Sequence, residues 1–92
     1  SGKIYIDRGA ARALNEGKSL LPAGIVKVEG TFEKGENILV VDENQKNLAR
    51  GLSSFTSSEI NKIKGKQSKE IENILGYLSK SEIIHKDDMV KL

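Results

Sequence analysis

Two neighbouring segments decide the fold of this chain: residues 6–14 read IDRGAARAL, and residues 17–25 read GKSLLPAGI. Asp7 is suited to cap a helix, because its carboxylate accepts the free N–H groups of a first helical turn and its charge suits the positive end of the helix dipole. The alanines that follow favour a helix. Gly17 supplies a left-handed closing residue. The sequence therefore predicts a short capped helix that ends at a glycine.

An apolar strand is predicted over residues 20–28, entered through Pro22. Gly24 lies inside this strand and indicates a bulge or a close approach between two backbones. We call residues 6–25 the corner. No set of side chains suited to catalysis occurs in it. It offers a helix start, a glycine turn and a groove with basic residues beside it: Arg8, Arg12 and Lys18.

Further strands are predicted from alternating or continuous apolar residues. An opening strand covers residues 3–6, and two others, residues 37–41 and 48–55, flank a polar hairpin loop at residues 42–47. Near the end of the chain, residues 83–85 and 89–90 suggest a final strand or strand pair around a polar turn.

Two short helices are predicted between those strands. Thr56 and Glu59 have the spacing of a capping box and start a helix through Ile60 and Ile63, which Gly65 interrupts. A second helix, capped by Ser68 and ended by Gly76, has its apolar face at Ile71, Ile74 and Leu75. The predicted core comprises Leu20, Leu21, Ile25, Val28, Ile38, Val40, Leu52, Ile71, Leu75, Ile84 and Val90. Most of the aromatic residues, Tyr5, Phe32, Phe55 and Tyr77, are also better explained as core.

Size and composition exclude several classes of protein. Ninety-two residues make one domain, and a domain of this size buries about two-thirds of its unfolded surface. With 30% charged and 37% apolar residues the chain is globular, and without cysteine it forms no disulfide or thiolate metal site. Its longest aliphatic run, residues 38–41, is too short to span a bilayer, so no membrane partner is expected. A net charge of +2 is too small to indicate nucleic-acid binding by itself.

The order of elements predicts a mainly β fold with short helices, in the form of a small barrel. The pattern Asp-x-Gly-Ala, x-x-Ala-Leu, Ser-Leu-Leu-Pro-x-Gly-Ile in residues 7–25 resembles the opening of a PUA domain. That family is named after pseudouridine synthases and archaeosine transglycosylases. The resemblance implies a mixed pseudo-barrel of the PUA type.

Later segments narrow the resemblance. Residues 53–60, 63–65, 68–77 and 84–90 resemble the C-terminal PUA domain of glutamate 5-kinases. The resemblance implies that residues 1–92 are a single PUA domain, excised from the C-terminus of a longer cytoplasmic kinase. In that family ATP, magnesium and glutamate bind an N-terminal kinase domain, which begins proline synthesis. The implied partners are that kinase domain and other copies of the chain, and no cofactor is expected in the fragment itself.

The resemblance also indicates where RNA would bind. PUA domains that bind RNA use the first helix, the glycine loop after it and a nearby strand. The matching positions here are Gly9, Ala10, Arg12, Gly17, Lys18, Leu21, Pro22 and Gly24. Two functions therefore remain open: a regulatory or assembly module of a kinase, and an RNA-binding module.

No catalytic or metal-ligating residue is predicted. His85 stands beside Asp87 and Asp88, but it is the single histidine of the chain. Metal sites generally need three or more convergent ligands, so a turn with local hydrogen bonds is the better interpretation. The basic run of Lys62, Lys64, Lys66 and Lys69 is flanked by glutamates and is interpreted as a solvated hinge between two helices. An interface with the kinase domain or with another subunit is an equally available use of this run.

Overall fold

A mixed sheet of five strands forms the centre of the computed structural model, which describes residues 2–77 and 79–92. The strands are β1 (Lys3–Ile6), β2 (Ile25–Glu29), β3 (Asn37–Val41), β4 (Asn47–Leu52) and β5 (Met89–Lys91). They lie in the order β2-β1-β3-β4-β5, and β1 runs parallel to β3 while the other neighbours are antiparallel. Among the described residues, three α-helices accompany the sheet: α1 (Arg8–Asn15), α2 (Ser57–Ile63) and α3 (Ile71–Leu75). The prediction of a mainly β fold with short helices is confirmed.

Local sequence patterns place most of these elements correctly. The strands predicted at residues 3–6 and 37–41 are present with those bounds. In the capping box of α2, the Glu59 N–H donates to Thr56 Oγ1 at 3.1 Å and the Thr56 N–H donates to Glu59 Oε1 at 2.8 Å. Gly76 ends α3 in the left-handed region with φ of 82°.

The strand predicted over residues 20–28 is wrong in its first half. Pro22–Gly24 form a 3₁₀ turn, and β2 starts only at Ile25. Proline has no N–H for a sheet ladder, and its fixed φ suits the first position of such a turn. Leu20 instead makes an isolated bridge with Ile84, in which Leu20 N–H donates to Ile84 C=O at 3.0 Å. The close backbone approach expected at Gly24 is confirmed, because a Cβ there would collide with the Cβ of Ala10.

Three other boundaries differ from prediction. The strand predicted over residues 48–55 ends at Leu52, because the Ser53 hydroxyl bonds to the backbone N–H and C=O of Phe55 and turns the chain. Ser68 does not cap α3: it starts a 3₁₀ turn, and the Gln67 N–H donates to Glu70 Oε2 at 3.0 Å. Of the predicted final strand pair, residues 89–91 form β5, while Ile84 contributes one bridge.

The core lies between the inner face of the sheet and the helices. Its largest fully buried side chains include Phe32, Phe55, Ile4, Ile6, Leu14, Leu20, Ile38, Ile60, Ile63, Ile83 and Ile84. Leu20, Ile25, Ile38, Val40, Ile71 and Ile84 were predicted correctly, and Val28 and Leu75 are half-buried. Leu21, Leu52 and Val90 were not, since each is exposed. Among the aromatic residues, Phe32 and Phe55 are core, Tyr5 is half-buried and Tyr77 is exposed.

Replacing Gly24 with alanine tests the close approach. We expect Gly24→Ala to lower the free energy of unfolding by about 1–3 kcal/mol, because the new methyl group overlaps Ala10 on a helix that cannot move freely. Gly9→Ala is the matched control. Its Cβ would meet Asp7 Oδ1 at an ordinary 3.6 Å, and alanine is the better helix former, so its stability should be unchanged or higher. Urea denaturation measures both, and equal midpoints for the two variants would contradict the prediction.

Candidate functional site

Asp7 joins the start of α1 to the 3₁₀ turn before β2. Its side chain accepts from the Ala10 N–H at 2.8 Å, as a helix N-cap does. Its backbone N–H donates to Gly24 C=O at 3.0 Å. The cap predicted at Asp7 is confirmed, and the same residue also fixes the helix start against the turn.

Gly17 closes α1 with a Schellman motif. Its φ is 80°, its N–H donates to Leu14 C=O, and the Lys18 N–H donates to Ala13 C=O, both at 3.0 Å. The predicted glycine stop is confirmed. The motif directs the chain from the end of the helix back toward the turn at Pro22, so that helix and turn form the two walls of a groove.

This corner groove has a volume of about 310 Å³ and lies between α1 and the segment 18–24. Five of the predicted site residues line it: Gly9, Ala10, Lys18, Leu21 and Gly24. Small side chains and backbone form most of its wall, and the exposed Leu21 adds an apolar edge. A groove of this kind admits a ligand close to the backbone. Of its polar side chains, Asp7 already accepts from the Ala10 N–H and Ser19 Oγ from the Lys86 N–H.

Three predicted site residues lie outside the groove. Arg12 is exposed on α1, and Gly17 forms the Schellman motif at the end of that helix. Pro22 is buried, and its C=O accepts from the Gly65 N–H at 2.8 Å. The groove also contains residues that sequence reasoning did not include: Asp7, Ala13, Ser19, Leu20 and Ala23. Helical periodicity could have identified Ala13, which lies one turn after Gly9.

Three basic residues belong to α1 and to the segment that follows it. Arg8 and Arg12 are one helical turn apart on the exposed face of α1, and within residues 2–77 and 79–92 neither has an ion-pair partner. Lys18 Nζ is 3.3 Å from Glu16 Oε1, with both side chains more than half exposed. Exposed pairs of this kind are weak, so Lys18 stays available to an anionic ligand.

The last ten residues support the corner from outside. The Lys86 N–H donates to Ser19 Oγ at 2.9 Å, and Lys91 Nζ donates to Asn15 C=O at 2.9 Å. Together with the bridge between Leu20 and Ile84, these bonds hold the segment between α1 and Pro22. No local pattern in the sequence predicts them, because the partners are more than 60 residues apart.

The other titratable groups considered from the sequence do not line the groove. His85 Nδ1 accepts from the Asp87 N–H at 3.1 Å, as expected of a turn residue. In the described part of the chain, no three carboxylate or histidine side chains gather as metal ligands. A hydrogen bond from its hydroxyl to Glu29 raises the pKa of Tyr5, which lies in the sheet on β1. Lys64, in the basic run between α2 and α3, donates to Asn61 Oδ1 at 3.0 Å.

No membrane-spanning helix occurs among the described residues. The longest helix there, α1, has eight residues, far fewer than a membrane span requires.

Comparison with known proteins identifies the relatives of the chain. Residues 2–75 match the family model of the PUA domain. The chain is 50% identical over its full length to the glutamate 5-kinase of Thermoanaerobacter sp. (strain X514). It is 62% identical over 99% of its length to that of Pelagibacter ubique (strain HTCC1062). It spans about a quarter of the length of each of these relatives. The resemblance drawn from the sequence is confirmed.

Solved structures agree on the fold. A PUA domain from Aeropyrum pernix K1, solved as a tartrate complex, superposes with a TM-score of 0.67 at 25% identity, over 91% of this chain and 41% of that one. The archaeal box H/ACA sRNP Nop10–Cbf5 complex contains a chain with a TM-score of 0.64 at 23% identity, covering 91% of this chain and 24% of that one. The PUA type of pseudo-barrel predicted from the sequence is confirmed.

The Asp7 cap gives a direct test of the corner. We expect Asp7→Ala to lower the free energy of unfolding by about 1 kcal/mol, because the Ala10 N–H loses its acceptor. Asp7→Asn keeps an acceptor oxygen at that position and should lose much less. Thermal unfolding followed by far-UV circular dichroism measures both variants, and an alanine variant as stable as the asparagine variant would show that the cap contributes nothing.

Proposed function

The chain belongs to the PUA domain family, and from this premise we propose that it is the non-catalytic PUA module of a cytoplasmic glutamate 5-kinase. The observation that carries the proposal is the identity of 50–62% to glutamate 5-kinases over 99–100% of this chain, combined with coverage of only a quarter of those proteins. The complete enzyme phosphorylates L-glutamate with ATP to give L-glutamyl 5-phosphate, the first step of proline biosynthesis. ATP and Mg²⁺ belong to its kinase part.

The chemistry of the corner groove supports a non-catalytic role. Phosphoryl transfer needs groups that position a nucleotide and neutralise developing charge, such as a glycine-rich phosphate loop with its lysine and metal-holding carboxylates. The described residues contain no metal-ligating cluster. Of the glycines that line the groove, Gly9 lies in α1 and Gly24 makes the close contact with Ala10. The contribution that we propose for this module is to the assembly of the kinase, or to the response of the enzyme to its ligands.

Deleting the module from a full-length glutamate 5-kinase tests this role. We expect the shortened enzyme to keep turnover, because the reacting groups lie in the kinase part, and to change in subunit assembly, feedback inhibition or metal dependence. Light scattering measures assembly, and initial rates measured against inhibitor and Mg²⁺ concentration report the rest. A shortened enzyme that behaved like the intact one in all three respects would refute the role.

RNA binding is a second candidate function, favoured by the charge beside the corner groove. Arg8 and Arg12 are free of ion pairs within the described residues, and Lys18 lines the groove itself. Guanidinium and ammonium groups beside accessible backbone are suited to phosphate. The proposed interface comprises Gly9, Ala10, Arg12, Gly17, Lys18, Leu21, Pro22 and Gly24. One structural neighbour is an H/ACA RNP bound to a substrate RNA, which shares the fold at a TM-score of 0.65 and 19% identity.

Arg12→Glu separates the two candidate functions. If RNA binds here, transfer RNA should bind at low salt with roughly micromolar affinity, and the affinity should fall steeply as salt rises. Arg12→Glu should then weaken binding by at least about tenfold, because a phosphate contact becomes a repulsion. Lys34→Glu is the matched control, since it changes the net charge equally at an exposed residue before β3, at the opposite end of the parallel pair β1–β3 from Asp7. Equal affinities for the two variants, or no binding at low salt, would rule out an RNA interface at the groove.

A further inference from the structure

Exposed apolar side chains gather on the outer face of the sheet, at the edge formed by β4 and β5. Val90 is 67% exposed, Leu92 66% and Leu52 43%. All three are branched aliphatic side chains: Leu52 ends β4, Val90 lies in β5 and Leu92 follows β5. Single exposed apolar residues are ordinary, but a contiguous group on a small domain indicates a surface for another protein.

The strand register makes this group continuous. Arg50 on β4 is paired with Leu39 of β3 on one side and with Val90 of β5 on the other. Alternation along each strand places Leu52 on the same face as Arg50, and Leu92 on the same face as Val90. The Leu92 N–H donates to Leu48 C=O at 3.0 Å, so the ladder continues to that residue. We name this surface the outer strip; it comprises Leu39, Arg50, Leu52, Val90 and Leu92.

Arg50 gives the outer strip a fixed cation at its centre. Its Nε–H donates to Asn37 Oδ1 at 2.9 Å, which orients the guanidinium on the sheet surface. The side chain is exposed, and no ion pair is formed by it within residues 2–77 and 79–92. An oriented arginine surrounded by aliphatic side chains is typical of the residues that dominate binding at protein interfaces.

We propose that the outer strip is the surface on which this module docks against the kinase part of the same polypeptide, through an apolar patch there that carries a carboxylate for Arg50. The inference rests on the proposed function. In the relatives, about three quarters of the polypeptide lies beyond the matched segment. β1 begins at Lys3, beside Leu39 in the register, and β5 is the sheet edge. A continuation from either end of the chain therefore starts in the sheet that carries this face.

The charge of the face favours a protein partner with acidic groups. Lys3 lies in the same cross-strand row as Leu39 and Arg50, and Glu29 follows at the far end of that row. Lys3 and Arg50 therefore lie nearer to the apolar residues of the outer strip than Glu29 does. An apolar strip around one arginine offers a phosphate backbone little contact, whereas it matches a protein patch of mixed aliphatic and acidic side chains.

Amide hydrogen exchange in a full-length glutamate 5-kinase that carries this module tests the proposal. We expect Val90→Glu and Arg50→Glu each to raise exchange at the amides of β4 and β5 by about tenfold, which corresponds to roughly 1.4 kcal/mol of lost contact. Val26→Glu is the matched control. Val26 is also an exposed valine, at 58%, but it lies on β2 at the opposite edge of the sheet and should leave the exchange unchanged.

The same variants in the isolated 92-residue chain separate docking from local unfolding. There Val90→Glu and Val26→Glu should leave the exchange of β4 and β5 as in the wild type, because both side chains contact solvent. Arg50→Glu also loses its hydrogen bond to Asn37, so its effect on exchange should be smaller there than in the full-length enzyme. Variants that matched wild type in the full-length enzyme, or that changed exchange equally in the isolated chain, would overturn the proposal. So would a dimer of the isolated chain that Val90→Glu dissociates, since the occupant would then be a second copy. A kinase that responds to module deletion but not to these variants keeps its regulatory role and loses only the docking surface.

Discussion

The contact between Ala10 and Gly24 is the constraint on which the corner of this fold depends. Ile6, the last residue of β1, pairs with Ile25, the first residue of β2, and the chain between them must make a helix and return within 18 residues. The return is possible because residue 24 has no side chain where α1 passes over it. Asp7 then bonds to both partners, through its side chain to the helix and through its backbone to the turn. The groove exists because these two walls are held this close.

Features set by neighbouring residues could be predicted from the sequence. Helix caps, glycine stops and the hairpin loop each depend on a few adjacent side chains competing for local backbone groups, and these predictions hold at Asp7, Gly17, Thr56 and Gly76. The strand predicted over residues 20–28 is longer than the observed strand, and this difference also has a local cause. Apolar content favours a strand, but Pro22 removes a ladder donor and fixes a turn, and this local effect decides the outcome.

Features set by distant residues could not be predicted. Leu52 and Val90 are apolar residues of the kind that usually fill a core. Only the pairing of β4 with β5 shows that both side chains face outward. The same holds for the candidate site. The groove residues on α1 follow from helical periodicity, whereas Ser19 belongs to the groove wall because the chain returns there near Lys86. The family match ends at residue 75, before the segment that supplies this support.

The short strand β5 connects the two surfaces of the module. Alternation along the strand sends Lys91 toward the end of α1, where it donates to Asn15 C=O, and Val90 to the outer strip. Two adjacent residues therefore hold the corner groove from behind and form part of the opposite face. Both residues lie in a three-residue strand that is held to the sheet by its pairing with β4. Contacts made on the outer face and the order of the groove thus depend on the same few backbone hydrogen bonds.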